Sequence, residues 1–186
     1  GGHRVVGEAV DAWDVMEQGW AQERARLAGM EALWDEGTVD VLTRCGVAPG
    51  SRVLGAGAGG GSTVRWLATQ VGRVGRVLAV DIDARFVAPL ASDVVQVCEV
   101  DVVTGDLPVA QFDVVHARLL LEHLREPAAI IRKLRAALVP GGRLVLADYD
   151  WSGFGFESDE ALSTLGTDGL LSFMATADVD GTLCHR

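Results

Sequence analysis

Cysteine is scarce in this sequence: the three present, Cys45, Cys98 and Cys184, are odd in number and far apart. That spacing excludes a disulfide framework and the close pairs that zinc sites use, and it points to reduced thiols in a cytoplasmic protein. Long apolar runs are missing too. The longest are strand-sized and interrupted by charge, so no membrane span is expected, and no basic-then-apolar leader precedes them. Positive charge is also short, with 16 Lys and Arg against 26 Asp and Glu. The resulting net charge of −10 repels a phosphate backbone and argues against non-specific nucleic-acid binding. No metal-ligand spacing is found, so no metal is expected. What is present, 186 residues with 49% hydrophobic content, suits one domain with one substantial core.

From Glu8 to about Trp34 the chain is rich in helix formers, and Trp13, Trp20, Leu27 and Trp34 recur every seven residues. This predicts one helix, or two broken near Gly29, whose stripe packs on a core or covers a ligand as a lid. A further helix is expected over Gly37–Cys45. Residues 1–35 are accordingly read as an amino-terminal helical lid segment and 36–186 as the ligand-binding domain. After "GVAPG" the period changes. Short Val- and Leu-rich runs at 52–56, 76–82, 94–100, 113–118 and 143–149 read as strands buried on both faces. Helices are expected between them, over Ser62–Val71, Ala84 to about Ala91, and Ala128–Leu138. The alternation predicts an α/β fold, a doubly wound parallel sheet of the Rossmann type in spatial order 3-2-1-4-5.

In such a sheet, ligands sit beyond the carboxyl ends of the strands where the strand order reverses. The stretch "RVLGAGAGGGST" places five glycines there, ahead of a helix expected to be capped by Ser62 or Thr63. Glycines permit positive φ and close approach of a ligand to the backbone. Gly55-x-Gly57-x-x-Gly60 fits a dinucleotide turn, whereas Gly57-x-Gly59-x-Gly61 fits a different nucleotide. Asp81, ending the second strand, suits a pair of ribose hydroxyls, and Asp101, ending the third, can accept from an adenine amino group.

These elements, with "FDVVHARLLLEHL" and "LRAALVPGGRLVLADYDW", resemble in order and spacing the class I S-adenosylmethionine-dependent methyltransferases over about residues 36–151. "VGRVGRVLAVDIDARF" and "HARLLLEHL" resemble in particular the small-molecule enzymes of high-GC bacteria. The resemblance implies S-adenosyl-L-methionine as cofactor, held by Gly57, Ala58, Gly59 and Gly61, by Asp81 on the ribose, by Ile82 packed on the adenine, and by Asp101 and Val102 at the ring. His116 would lie beside the methionine moiety or the substrate entrance. The chain departs from the family at Gly55, where Asp or Glu normally helps to position the methionine amine. It also departs after the fifth strand, where the family continues with a helix and two strands and this chain offers one helix, Asp159 to about Ala175, so the fold reads as incomplete at the carboxyl end. Strand 5 is then expected to be covered by residues 151–186 or by another copy of the chain, as a homo-oligomer.

Methyl transfer from a sulfonium is an in-line displacement, so alignment and exclusion of water matter more than a base. If a base is used, His116 is the candidate because its unperturbed pKa lies near neutrality; the alternative is a strand-end histidine with its hydrogen bonds satisfied. Glu122 and His123 read as structural. Arg118 holds an acidic substrate or pairs with an acid on a neighbouring loop, and Asp148, Tyr149, Asp150 and Trp151 face the substrate side. The reading is a methyltransferase acting on a small molecule. Its rivals are an NAD-dependent oxidoreductase, for which no hydride-transfer constellation is found, and a non-catalytic nucleotide-binding or interaction protein.

Overall fold

The structure is a computed structural model that describes residues 12–149, with side-chain surroundings from residue 19 onward. Five strands form one parallel sheet in the order β3-β2-β1-β4-β5: β1 (Arg52–Ala56), β2 (Arg76–Asp81), β3 (Val95–Glu99), β4 (Phe112–Arg118) and β5 (Leu138–Ala147). This is the expected α/β order. Its central strands are short apolar runs because both faces are covered. On one face Val53, Val77, Ala79 and Val114 pack with Leu42, Val64, Leu67 and Val71. On the other, Leu54, Val80, Val115 and Ala117 pack with Ile130 and Leu134. The parallel register sets Gly55 beside both Ala79 and His116, and therefore on the face that carries Val53.

The amino-terminal region differs from expectation. Instead of two helices it forms one, α1 (Ala12–Arg44), 33 residues long and unbroken at Gly29 or between Trp34 and Gly37. A glycine inside an exposed helix costs only about 1 kcal/mol relative to alanine. The docking of Thr38, 8% exposed, and Leu42, fully buried, offsets that cost. Trp20 and Trp34 stay partly exposed, at 44% and 38%, so the heptad stripe is not a simple core seam.

Helix α2 (Ser62–Val71) follows β1, and α3 (Pro127–Ala136) precedes β5. The helix expected over 84–91 is instead two single turns of 3₁₀ helix, Ala84–Phe86 and Ala88–Leu90, because Pro89 lacks the N–H that a longer helix would need. Residues 121–123 of the "LLLEHL" stretch form a third such turn. The fifth strand begins five residues earlier than its apolar run suggests. The segment "LVPGGR" joins β4 through an irregular register near Phe112, with Gly141 at φ 83°. Among the described residues β5 is an edge strand, and Asp150, Trp151, the helix expected at 159–175 and any cover for that edge lie outside the described residues.

Candidate functional site

The glycine loop leaves β1 at the point where β2 and β4 diverge to either side of it, which opens a crevice above the carboxyl ends of the strands. Gly57, Gly59 and Gly61 all have positive φ, at 69°, 54° and 88°. A side chain at Gly57 or Gly59 would press on Leu120 or Leu27, each 3.4 Å from the site of a Cβ. The Gly57 and Ala58 amides turn inward and donate to the Val80 carbonyl at 2.9 and 3.1 Å, which fixes the loop to the sheet.

Asp81 holds the same loop from β2. Its Oδ2 accepts from the Gly59 amide at 2.8 Å and its Oδ1 from the Asp83 amide at 2.9 Å. A carboxylate oxygen has two lone pairs, so one on each oxygen stays available to a diol. Ile82 follows with 70% of its surface exposed, an apolar side chain at the crevice. Asp101 closes an Asx turn, accepting from the Val103 amide at 2.8 Å and the Thr104 hydroxyl at 3.0 Å; the Val103 amide is the main reason its pKa lies below the usual carboxylate range. Lys133 braces the neighbouring backbone through the Val102 carbonyl at 2.9 Å.

The crevice is a cavity of about 620 Å³. Gly57, Ala58, Gly59, Asp81, Ile82, Asp101 and Val102, all named from the sequence as cofactor residues, border it. Gly61 and His116 do not. Gly61 is the N-cap of α2, and a Cβ there would meet Leu90 at 2.7 Å. Neither Ser62 nor Thr63 caps α2. Ser62 is its first helical residue, and its amide is capped from outside by Glu31 Oε1 at 3.0 Å.

That contact sets the middle of α1 against the cavity. Leu27, Met30 and Glu31 of α1 form a wall of this cavity, and the Glu31 carboxylate lies against Gly60, another lining residue absent from the expected set. Helix α1 is pinned there by polar contacts: Asp35 Oδ1 accepts from the Ser62 hydroxyl at 2.9 Å and from Arg118 at 2.9 Å, while Arg118 also donates to Thr38 at 2.8 Å. Of the two roles weighed for Arg118, pairing with a nearby acid is thus met, by a helix rather than a loop.

Arg118, Leu119 and Tyr149 are shared with a second, smaller cavity of about 280 Å³, so the two adjoin. His116 and Asp148 line the smaller one, together with Trp34, Val41 and Leu146. Trp34 meets Tyr149 edge-on, with ring centroids 5.4 Å apart, and donates from Nε1 to its hydroxyl at 3.0 Å. His116 is 4% exposed, and Nδ1 lies 3.2 Å from the Val145 carbonyl. A carbonyl only accepts, so Nδ1 carries the proton and Nε2 the lone pair. Burial first, opposed by that carbonyl and aided by the nearby Arg118 charge, pushes the His116 pKa down to about 4. The premise of a near-neutral pKa is therefore wrong for His116: at pH 7 it is a neutral acceptor and a weak base. Asp148 caps the turn at 121–123 through the Leu121 and Glu122 amides at 3.0 and 3.4 Å, and burial raises its pKa.

Among the described residues no group of metal-binding side chains occurs and no helix is long and apolar enough to cross a membrane. Residues 54–144 match the family described as a methyltransferase domain. The ubiquinone/menaquinone biosynthesis C-methyltransferase UbiE of Ectopseudomonas mendocina is 29% identical over 133 residues, which are 67% of this chain and 51% of that protein. A ubiquinone biosynthesis O-methyltransferase of Xanthomonas campestris is 36% identical over 108 residues, 53% of this chain and 43% of that one. The chain thus spans about half the length of these curated relatives, or less. Among solved structures, a SAM-dependent methyltransferase from Aquifex aeolicus superposes with a TM-score of 0.60 at 20% identity, covering 81% of this chain and 87% of that one. The [4+2]-cyclase SpnF does so at 0.51 and 26% identity, over 57% and 42%.

Proposed function

We propose that this chain is a class I S-adenosylmethionine-dependent methyltransferase that transfers the cofactor's methyl group to a small molecule seated in the smaller cavity; the match to the methyltransferase-domain family and to methyltransferase relatives supports this reading. The observation that carries this reading is the junction of the two cavities at Arg118, Leu119 and Tyr149. One is large enough for a nucleoside with an amino-acid tail, since ligand sites commonly measure about 300–1,000 Å³. The other is largely apolar and suits an acceptor.

S-adenosylmethionine fits the residues of the larger cavity. Asp81 would take the ribose hydroxyls, Ile82 and Val102 would flank the adenine, Asp101 would meet its amino group, and Gly57 and Gly59 would let the tail pass close to the backbone. When bound, the cofactor supplies an activated methyl group. The chain's own part is to align and to dry the reaction. Helix α1 closes the outer wall, Trp34, Leu119 and Leu146 exclude water, and neutral His116 can accept a hydrogen bond from the attacking group.

A second reading, cofactor binding without methyl transfer, is favoured by Gly55 in place of the family's carboxylate and by the likeness to a structure described as a cyclase. Calorimetry with S-adenosylmethionine, S-adenosylhomocysteine and NAD, followed by transfer of labelled methyl to a panel of small acceptors, separates the two. Tight binding with no transfer to any acceptor would favour the second reading, and preference for NAD would sink both.

A further inference from the structure

The smaller cavity has a particular inventory of unused polar atoms. Its walls are mostly carbon, from Trp34, Val41, Leu119 and Leu146. Thr38 donates to the Trp34 carbonyl at 2.9 Å and accepts from Arg118. The Tyr149 hydroxyl accepts from Trp34 Nε1 and points at Met30 Sδ at 3.5 Å. Asp148 holds the Leu121 and Glu122 amides. Two groups remain. Nε2 of His116 bears a lone pair with no partner among the described residues, and since no buried side-chain nitrogen there lacks a partner, it opens to the cavity. Arg118 spends one terminal nitrogen on Asp35 and Thr38 and keeps its other N–H donors. Residues 116 and 118 alternate onto one face of β4, so this acceptor and these donors point the same way.

Charge narrows the ligand further. A carboxylate would meet the bare lone pair of Nε2 and lie near Asp148, whereas an ammonium would meet Arg118. A volume of about 280 Å³ holds one ring with small substituents. We propose that the cavity binds an uncharged, oxygenated phenol, whose hydroxyl donates to Nε2 of His116 and whose neighbouring oxygen accepts from Arg118. This names the acceptor class for the methyl-transfer reading and rests on that reading only for its role, not for the binding itself.

The test is binding in the absence of cofactor, read by quenching of tryptophan fluorescence, with catechol, 1,2-dimethoxybenzene, benzoate and benzylamine as probes. Catechol should bind at least about tenfold more tightly than 1,2-dimethoxybenzene, because losing the donor leaves Nε2 buried and unpaired. Benzoate and benzylamine should bind more weakly than catechol. In wild-type protein the imidazole ¹⁵N signals of His116 should show Nδ1 protonated and Nε2 bare, with Nε2 shifting on addition of catechol and not of 1,2-dimethoxybenzene. His116→Leu should abolish the preference between these two probes while 1,2-dimethoxybenzene still binds. Equal affinity for the two, a proton on Nε2, or preference for benzoate would each overturn the proposal. Catechol preference in a protein that does not bind S-adenosylmethionine would leave this inference standing and remove methyl transfer; cofactor binding without the preference would do the reverse.

Discussion

Gly55→Asp restores a carboxylate where this chain has none, and its first effect should fall on His116. Gly55 does not have positive φ, and a Cβ there meets nothing within 4 Å, so the substitution is sterically open. His116 is its direct partner on β4, and parallel strands lie about 4.8 Å apart. An opposite charge within about 4–6 Å moves a pKa by about 1–3 units toward the charged form, upward for an imidazole. Arg118, already paired with Asp35, competes for the new carboxylate, which favours the lower half of that range. From about 4, the His116 pKa should therefore rise to about 5–6. Titration of its ring protons by NMR reads this directly. The same carboxylate should tighten S-adenosylmethionine and S-adenosylhomocysteine alike by about 1–3 kcal/mol through their shared amine. A folded variant with an unmoved His116 pKa would refute the shared face of residues 55 and 116; a moved pKa with unchanged affinities would show that the amine does not approach Gly55.

Three further outcomes follow from the same geometry. Asp81→Asn should weaken S-adenosylmethionine binding in calorimetry by about 1–3 kcal/mol, and an unchanged affinity would remove Asp81 from the ribose site. His116 binds its proton more weakly folded, at about 4, than unfolded, near 6.5, so its contribution is intact above about pH 6.5 and is lost as pH falls toward 4, by about 3 kcal/mol. Asp148, with a raised pKa, acts in the opposite sense at the acid end. Urea denaturation of wild type and His116→Gln at pH 7 and pH 4.5 isolates the histidine term, and a difference independent of pH would contradict its burial as a neutral ring. Gly61→Ala should destabilise the fold by more than about 1 kcal/mol because φ is positive and Leu90 blocks the Cβ, while the refolded variant keeps its cofactor affinity; a selective loss of affinity would return Gly61 to the cavity wall.

The sheet was legible because its signal is local. Val- and Leu-rich runs of strand length, separated by glycine turns, dictate buried parallel strands, and Asp81, which ends β2, and Asp101, two residues past β3, both border the larger cavity. Helix α1 was harder to read. Gly29 and Gly37 carry a breaking signal of about 1 kcal/mol each, and what overrides them is packing of Thr38 and Leu42 on a sheet distant in sequence. Glu31 and Asp35 escaped notice for the same reason, since nothing in their own neighbourhood shows that they reach Ser62, 31 and 27 residues later. The depressed pKa of His116 likewise comes first from burial, which the Val145 carbonyl only opposes, and that burial is not visible in the "DVVHAR" stretch alone.

Helix α1 touches the site along much of its length. Near its start, Arg85 stacks on the Trp20 ring at 4.8 Å and Arg24 lies over Phe86 at 5.4 Å, beside the loop that presents Ile82. Farther on, Glu31 and Asp35 hold the entrance of α2, and then Trp34 and Thr38 wall the smaller cavity. A 33-residue helix is a rod about 50 Å long. A rod cannot tilt at one station and stay still at the next, so any tilt of α1 would shift its contacts with the Ile82 loop, the glycine loop and the smaller cavity together. A ligand that tilted α1 on entering one cavity would change the opening of the other.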